Sequence, residues 1–482
     1  MKEIGQVFLM IVVLVSAVTV AGVTADEETG REFFTGTPPP EHEHFGGQWL
    51  EKFHNPAPGI EMGADIRLRE IYAPRVDTLD KNPRGVNAFS SKWHFERYRM
   101  RMWSRFGIDD DMDINSRLVW EFYTWDDPDR KPSHVNFDEI IFDNLNLTWR
   151  NAFDMPMTMI IGRQDIFIGN GWLILEATPL DTSRTSFFDA VRLTYDWQEK
   201  DTTVDLIYIN NTSAADKHWL KPFNDREFPL TEQDEQGFVL YASNKSFKDT
   251  QIDGYFIYKN DRKVKFNSNS GIPAVWSKDA ELYTLGSRIT GALDANWKYY
   301  VEAAAQSGKK NLNSQRAFGA NSKLSYSFND ELNNNLHVGY EYLSGDDPGT
   351  TRDEAFDPLW GEWARFSEMM PYVYSRDGVI GETTNLHRLN FGHSFKPAPK
   401  WEIATGYHLL WADQNTAKNS PNGMFSDSGD FRGQLLTCWL KWACCPRLSA
   451  HLVAEYFQPG NYYVGSNRDH ALFVRFNIEY VF

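Results

Sequence analysis

The chain is poor in cysteine: among 482 residues only Cys438, Cys444 and Cys445 occur. Three bunched cysteines supply no disulfide framework, and the adjacent pair has neither a CxxC nor a zinc-ligand spacing. Long apolar runs are also missing. Beyond residue 20 nothing approaches the ~20 residues that a membrane-crossing helix needs. Positive charge is in deficit, with 49 Lys and Arg against 66 Asp and Glu and a formal net charge of −17. That balance argues against nucleic acid as a partner. Catalytic motifs are lacking as well. There is no Gly-x-Ser-x-Gly elbow, His-Glu-x-x-His or phosphate loop, and "GNG" at 169–171 lacks the third glycine of a dinucleotide turn. His387 and His393 flank Arg388, but no Tyr or carboxylate constellation suggestive of a lyase surrounds them. No enzyme, metal or cofactor is expected. "EHEH" at 41–44 reads as a solvated tail.

What is present is period two. In the closing stretch, Leu472, Val474, Phe476, Ile478, Tyr480 and Phe482 share one parity, while Arg475, Asn477 and Glu479 share the other. Such alternation is a strand with one apolar and one polar face. Hydrophobic content is 41%, aromatic content 15% and mean hydropathy −0.51. This is too polar for a helical membrane protein and too aromatic for a disordered chain. About eighteen candidate strands follow one another, from 60–72 to 470–482, including one at 157–168. Short connections such as 109–113, 396–400 and 444–447 alternate with long ones such as 169–186, 212–235 and 345–384. A transmembrane antiparallel up-and-down β-barrel has this rhythm, with short periplasmic turns and long extracellular loops. The apolar rows would then face outer-membrane lipid, and closure would pair the last strand with the first. Tryptophans such as Trp93, Trp120, Trp149, Trp197, Trp401 and Trp439 are expected near strand ends, at headgroup level.

The first 25 residues read as a signal peptide. Lys2 gives a weak basic start, Val7 to Val20 an apolar core and Val23-Thr24-Ala25 a cleavage site. The expected order is signal peptide 1–25, extended periplasmic lead-in 26–59 and barrel 60–482. About thirty lead-in residues are too few for a globular plug domain of an active transporter. A terminal Phe on an alternating strand resembles the feature that barrel assembly machinery reads.

Arginine carries the functional signal. In "KWHFERYRMRMWSRFGIDD", Arg97, Arg99, Arg101 and Arg105 share a parity opposite to Tyr98, Met100 and Met102. Facing lipid, each would cost about 2–4 kcal/mol at mid-depth, so the row points into the lumen. Arg67, Arg69, Arg117, Arg192 and Arg475 oppose apolar neighbours in the same way. The acids gather instead in connections such as "SGDDPGTTRDE". A cationic lumen suits an anionic solute, since guanidinium forks bind carboxylates. Equally, Asp65, Glu121, Asp165, Glu302 and Glu479 are placed to pair with these arginines and brace the interior. Neutralising Arg97, Arg99 and Arg101 together is expected to lower anion preference and leave assembly intact.

Three stretches resemble the alginate export family of outer-membrane barrels: "IIGRQDIFIGNGWLILEATPLDTSRTSFFDAVRLTY" (160–195), "YEYLSGDDPGTTRDEAFDPLW" (340–360) and "AEYFQPGNYYVGSNRDHALFVRFNIEYVF" (454–482). They lie in order, and the resemblance covers most of 60–482. It implies an eighteen-stranded barrel and passive export of an anionic polysaccharide through an arginine-lined constriction. It also implies that Arg163, Asp165, Asp189 and Arg192 are pore-wall residues, and it leaves room for a periplasmic export partner. Parity raises two conditions. Arg163 and Asp165 share a side with Met157, Met159 and Ile161, and Asp189 and Arg192 lie on opposite sides unless a bulge or strand end intervenes. A porin for small organic anions or oligosaccharides is the alternative. The two readings differ in whether 345–384 folds inward.

Overall fold

The computed structural model describes residues 47–81, 92–127, 139–176, 186–213, 217–223, 231, 233–263, 278–361, 365–374, 383–415, 424–465 and 467–482. The expected signal peptide (1–25) and most of the expected lead-in (26–59) lie outside the described residues. The end of the lead-in forms a helix, α1 (Gly47–His54), rather than extended chain, and His54 Nδ1 lies 2.8 Å from the Met62 carbonyl.

Eighteen strands make the wall. They begin with β1 (Ile60–Pro74), β2 (Lys92–Gly107), β3 (Met112–Asp127), β4 (Glu139–Trp149), β5 (Met157–Gln164) and β6 (Phe188–Trp197). Next come β7 (Thr202–Asn211), β8 (Asp234–Phe247), β9 (Thr250–Arg262), β10 (Ala280–Ala292), β11 (Trp297–Lys310) and β12 (Asn313–Ser327). The last six are β13 (Asn335–Leu343), β14 (Leu386–Ala398), β15 (Trp401–Trp411), β16 (Phe431–Cys445), β17 (Leu448–Pro459) and β18 (Ala471–Val481). Each pairs antiparallel with its neighbours, and β18 returns to β1 through Arg67↔Glu479 and Arg69↔Asn477. The barrel is closed. The Phe482 amide donates to the Ala64 carbonyl at 2.8 Å, extending the seam beyond β18.

Alternation decides which side faces what. Leu68, Met102, Phe106 and Phe476 stand exposed on the outer surface, while Asp65, Arg67, Arg99, Arg101 and Arg475 are buried inside. One end carries the tight turns and the other the long loops. Trp149, Trp197 and Trp401 sit at strand ends as expected, whereas Trp93, also at a strand end, turns inward onto the core, and Trp120 and Trp439 fall at mid-strand.

The strand expected over 157–168 breaks at Gln164. Gly162 adopts φ +122°, where a Cβ would stand 2.4 Å from the Leu145 carbonyl oxygen, so only glycine fits. The chain then leaves the wall and enters the barrel, where Ile166–Phe167 pairs with Leu175–Glu176. The segment after β13 also folds inward. Its helix α2 (Met370–Tyr374) buries Met370, Val373 and Tyr374, and Trp360 exchanges backbone hydrogen bonds with Leu173 and Leu175. Trp172, Ile174, Phe356, Leu359 and Trp360 meet inward-facing Ile71, Val239, Ile257, Leu410 and Phe473 in one apolar cluster. The loop half of the barrel therefore has a packed core, and the polar lumen is confined toward the turn half.

Candidate functional site

The seam β18–β1–β2 concentrates cations. Register sets Arg67 beside Arg99, Arg69 beside Arg97 and Asp65 beside Arg101, with Arg475 opposite Ile71. Six inward arginines at mid-depth (Arg67, Arg69, Arg97, Arg99, Arg101 and Arg475) thus share three strands with two inward carboxylates, Asp65 and Glu479. Arg101 Nε donates to both Asp65 oxygens at 3.0 and 2.8 Å, and Arg99 Nη2 donates to Glu479 at 2.9 Å. Arg67 lies 3.7 Å from Glu121 of β3. Arg69 Nε donates to Asn477 at 2.7 Å. Arg475 reaches Glu368 of the infolded segment at 2.7 Å. Among the described residues Arg97 has no carboxylate partner. Among the described residues, counting Glu121 and Glu368, four carboxylates lie against these six guanidiniums.

The other arginines read from sequence are distributed differently. Arg117 Nε donates to Asp143 at 2.9 Å, and its two terminal nitrogens grip Asp165 at 2.8 Å each. Asp165 comes inward because the chain has left β5. Arg192 Nε donates to Asp205 at 2.8 Å on the inner face, since Arg192 pairs with buried Ile207. Arg105 sits near the turn end against Asp113 and Glu61, at 3.1 and 3.4 Å.

Arg163 and Asp189 form a fork, with Nε and Nη2 donating at 2.9 and 3.0 Å. Register places this pair on the outward parity. Arg163 pairs with Leu145, in line with Ser116 and Ser104 on the row of exposed Met102. It is nevertheless fully buried. Above it, β4 has lost its β5 neighbour, and Arg163 Nη1 donates to the freed Phe142 carbonyl at 2.8 Å. Phe187 and His218 close over the guanidinium. No bulge shifts β5 against β4 or β6, so Asp189 and Arg192 stay on opposite sides.

Further inward cations were not singled out from sequence as lumen residues, among them Arg288, Arg388 and Lys259. Arg288 donates to Asp253 at 2.6 Å, Arg388 to Glu341 at 2.9 Å, and Lys259 lies 2.9 Å from Glu235. Arg288 and Lys259 are each the lone arginine or lysine of their alternating rows, and Arg388 shares its row only with Lys396 near the strand's turn end, a signal weaker than a ladder but of the same kind. Arg388, Arg365 and Lys323 border a cavity of about 470 Å³ with Trp172 and Phe366.

The infolded segment is held by ions. Asp357 accepts from Lys278 at 3.0 Å and Lys310 at 3.2 Å, and its amide and carbonyl both bond Gln306. Burial alone would raise the Asp357 carboxyl. Lys278, Lys310 and Lys259 overcome that and hold it well below the usual carboxylate range.

A closed eighteen-stranded barrel with an apolar outer belt and a charged lumen defines an outer-membrane β-barrel channel. The sequence model of the alginate export family matches residues 61–473, and the chain belongs to that family. No curated protein matches. Among solved structures, that of Pseudomonas aeruginosa OpdQ is similar with a TM-score of 0.54 at 11% identity, covering 88% of this chain and 97% of that one. Pseudomonas aeruginosa OccK7 (OpdD) gives 0.53 at 11% identity, covering 87% and 99%. At such identity these likenesses speak for the fold.

Proposed function

We propose that the protein is a passive outer-membrane channel for an anionic polysaccharide of the alginate class, a polyuronate, and carries no catalytic centre. The observation that carries this reading is the concentration of guanidinium on the β18–β1–β2 wall, where Arg97 is half-buried and has no carboxylate partner among the described residues. Forks at successive depths would let a chain of carboxylates pass from one to the next without a single trapping site. The solute and outer-membrane lipid are its main partners. Barrel assembly machinery would insert it, and a periplasmic export partner would meet the turn end.

A second reading is favoured by the infolded segments. They fill the loop half with Trp172, Trp360 and their neighbours, which suits a small organic anion or an oligosaccharide better than a long polymer. Single-channel conductance and reversal potential in a salt gradient, with and without oligouronates, separate the two. Anion preference with block that strengthens as the oligouronate lengthens supports the polymer. Block by the monomer alone, at equal strength, supports the small-anion channel, and absence of anion preference sinks both.

A further inference from the structure

Residues 217–223 do not enter the lumen. The Phe223 amide donates to the Ile140 carbonyl at 2.9 Å, so this stretch pairs with the part of β4 that β5 abandons. Phe223 also packs on Phe142, with ring centroids 5.5 Å apart. Phe142 pairs with Leu118, and Leu118 with exposed Met102, which fixes that contact on the outside of the barrel. Ile140 is the second residue of β4 from the loop end, so the stretch lies at the outer-leaflet rim.

Its side chains alternate. His218 and Pro222 turn inward and are buried, while Lys217, Trp219, Lys221 and Phe223 are exposed. Trp219 and Phe223 are exposed by 59% and 63%, on a wall that faces lipid. The stretch is also anchored. His218 meets Arg163 at 3.3 Å and Asp189 at 3.9 Å, and the Trp219 side chain hydrogen-bonds Asp189. The fully buried Arg163–Asp189 fork is thus the base on which an exposed Lys-Trp-Lys-Phe face is mounted.

We propose that this face docks the phosphorylated headgroup of an outer-leaflet glycolipid, the bisphosphorylated glucosamine type. The inference rests on the outer-membrane reading, and no solute need pass for it to hold. Trp219 and Phe223 enter the apolar layer, where amphipathic rings settle, and Lys217 and Lys221 reach up to phosphate. Charge and depth both select this occupant. A soluble polyanion would be met by the lysines but not by two rings set among them on a lipid-facing wall, and a neutral lipid would use the rings but offer no phosphate to the two exposed cations.

The test uses the full-length barrel in zwitterionic nanodiscs doped with lipid A, with bound lipid counted by native mass spectrometry. Wild type should retain lipid A. The Lys217→Ala/Lys221→Ala variant should bind it on the order of tenfold more weakly, since each lysine near a charged headgroup contributes appreciably. Trp219→Ser should weaken it independently. Lys200→Ala/Lys298→Ala, at the turn end, should change nothing. Retention by the double lysine variant equal to wild type would overturn the proposal. So would equal binding of dephosphorylated lipid A, or release by inorganic phosphate at matched ionic strength. Membrane fractionation of the wild type is read separately: absence from the outer membrane defeats the localisation, whereas presence there with no lipid A retained defeats only this inference.

Discussion

Arg99 on β2 donates to Glu479 on β18 across 2.9 Å, although 380 residues separate them in sequence and β1 runs between their strands. Arg67 of β1 is the register partner of both, so the bond passes over it. One ion pair therefore ties the barrel's seam and sets the charge of its lumen. Replacing Glu479 with Gln separates these effects. Uncompensated buried charge costs about 3–5 kcal/mol when one partner is lost. The folded band in unboiled electrophoresis should disappear at a lower temperature. Reversal potential should meanwhile move toward stronger anion preference, because Arg99 and Arg101 both lose a negative charge within 3.6 Å.

Arg97 and Arg99 should respond oppositely to removal. Arg97 is half-buried and has no carboxylate partner among the described residues. Arg97→Ala should lower anion preference with little effect on thermal stability, within about 0.5 kcal/mol. Arg99→Ala removes the hydrogen-bonded partner of buried Glu479, leaving Arg101 at 3.6 Å, and should destabilise the barrel by about 3 kcal/mol. The triple neutralisation of Arg97, Arg99 and Arg101 accordingly will not leave assembly untouched, in contrast to the expectation from parity alone. Equal stability of the two single variants in a melting series would contradict this assignment.

The wall was legible because period two is local. Every expected strand has a counterpart, and the facing of Arg67, Arg69, Arg99 and Arg101 follows from neighbours one residue away. What the sequence hid depends on distant chain. Nothing near Arg99 announces Glu479, and nothing near Trp360 announces the strand glycine that admits it. Arg163 shows the third kind of limit. Its parity with Ile161 was readable, but its burial arises because β5 ends at Gln164 and residues 217–223 fill the gap. That break comes from Gly162 and the inward path of 165–176, an event of tertiary packing. Arg288 and Arg388 were hidden more simply, as cations without a like neighbour two residues away in rows that otherwise look ordinary.

Trp360 should act as the keystone of the infolded segment. It is 1% exposed, its indole donates to Glu235 at 3.1 Å, and Gly237 leaves room for its ring. A Cβ on Gly237 would stand 2.2 Å from that ring. Trp360→Ala removes a buried aromatic worth about 3–5 kcal/mol and should release the segment from the wall. Gly237→Ala should do the same more mildly. Both should raise single-channel conductance and open-channel noise while the folded band persists. Conductance unchanged in Trp360→Ala would show that the segment does not narrow the path.

Acid should release the same segment only under strong conditions. The groups facing Asp357 are Lys259, Lys278 and Lys310, with Asp261 and Glu235 behind the lysines. Because the folded-state pKa of Asp357 lies below its ordinary value, its contribution is fully present above an ordinary Asp pKa of about 4 and is lost as pH falls through the lower folded value. The hold that Asp357 exerts on the segment should therefore stay constant from neutral pH down to about pH 5, and weaken only well below pH 4. Asp357→Asn keeps an acceptor for the Leu359 amide but removes, at every pH, the negative charge that Lys278 and Lys310 share. It should show at neutral pH the larger, noisier current that wild type reaches only in strong acid. A wild-type transition between pH 5 and 7, with the variant silent at neutral pH, would mean that a different group holds the segment in place.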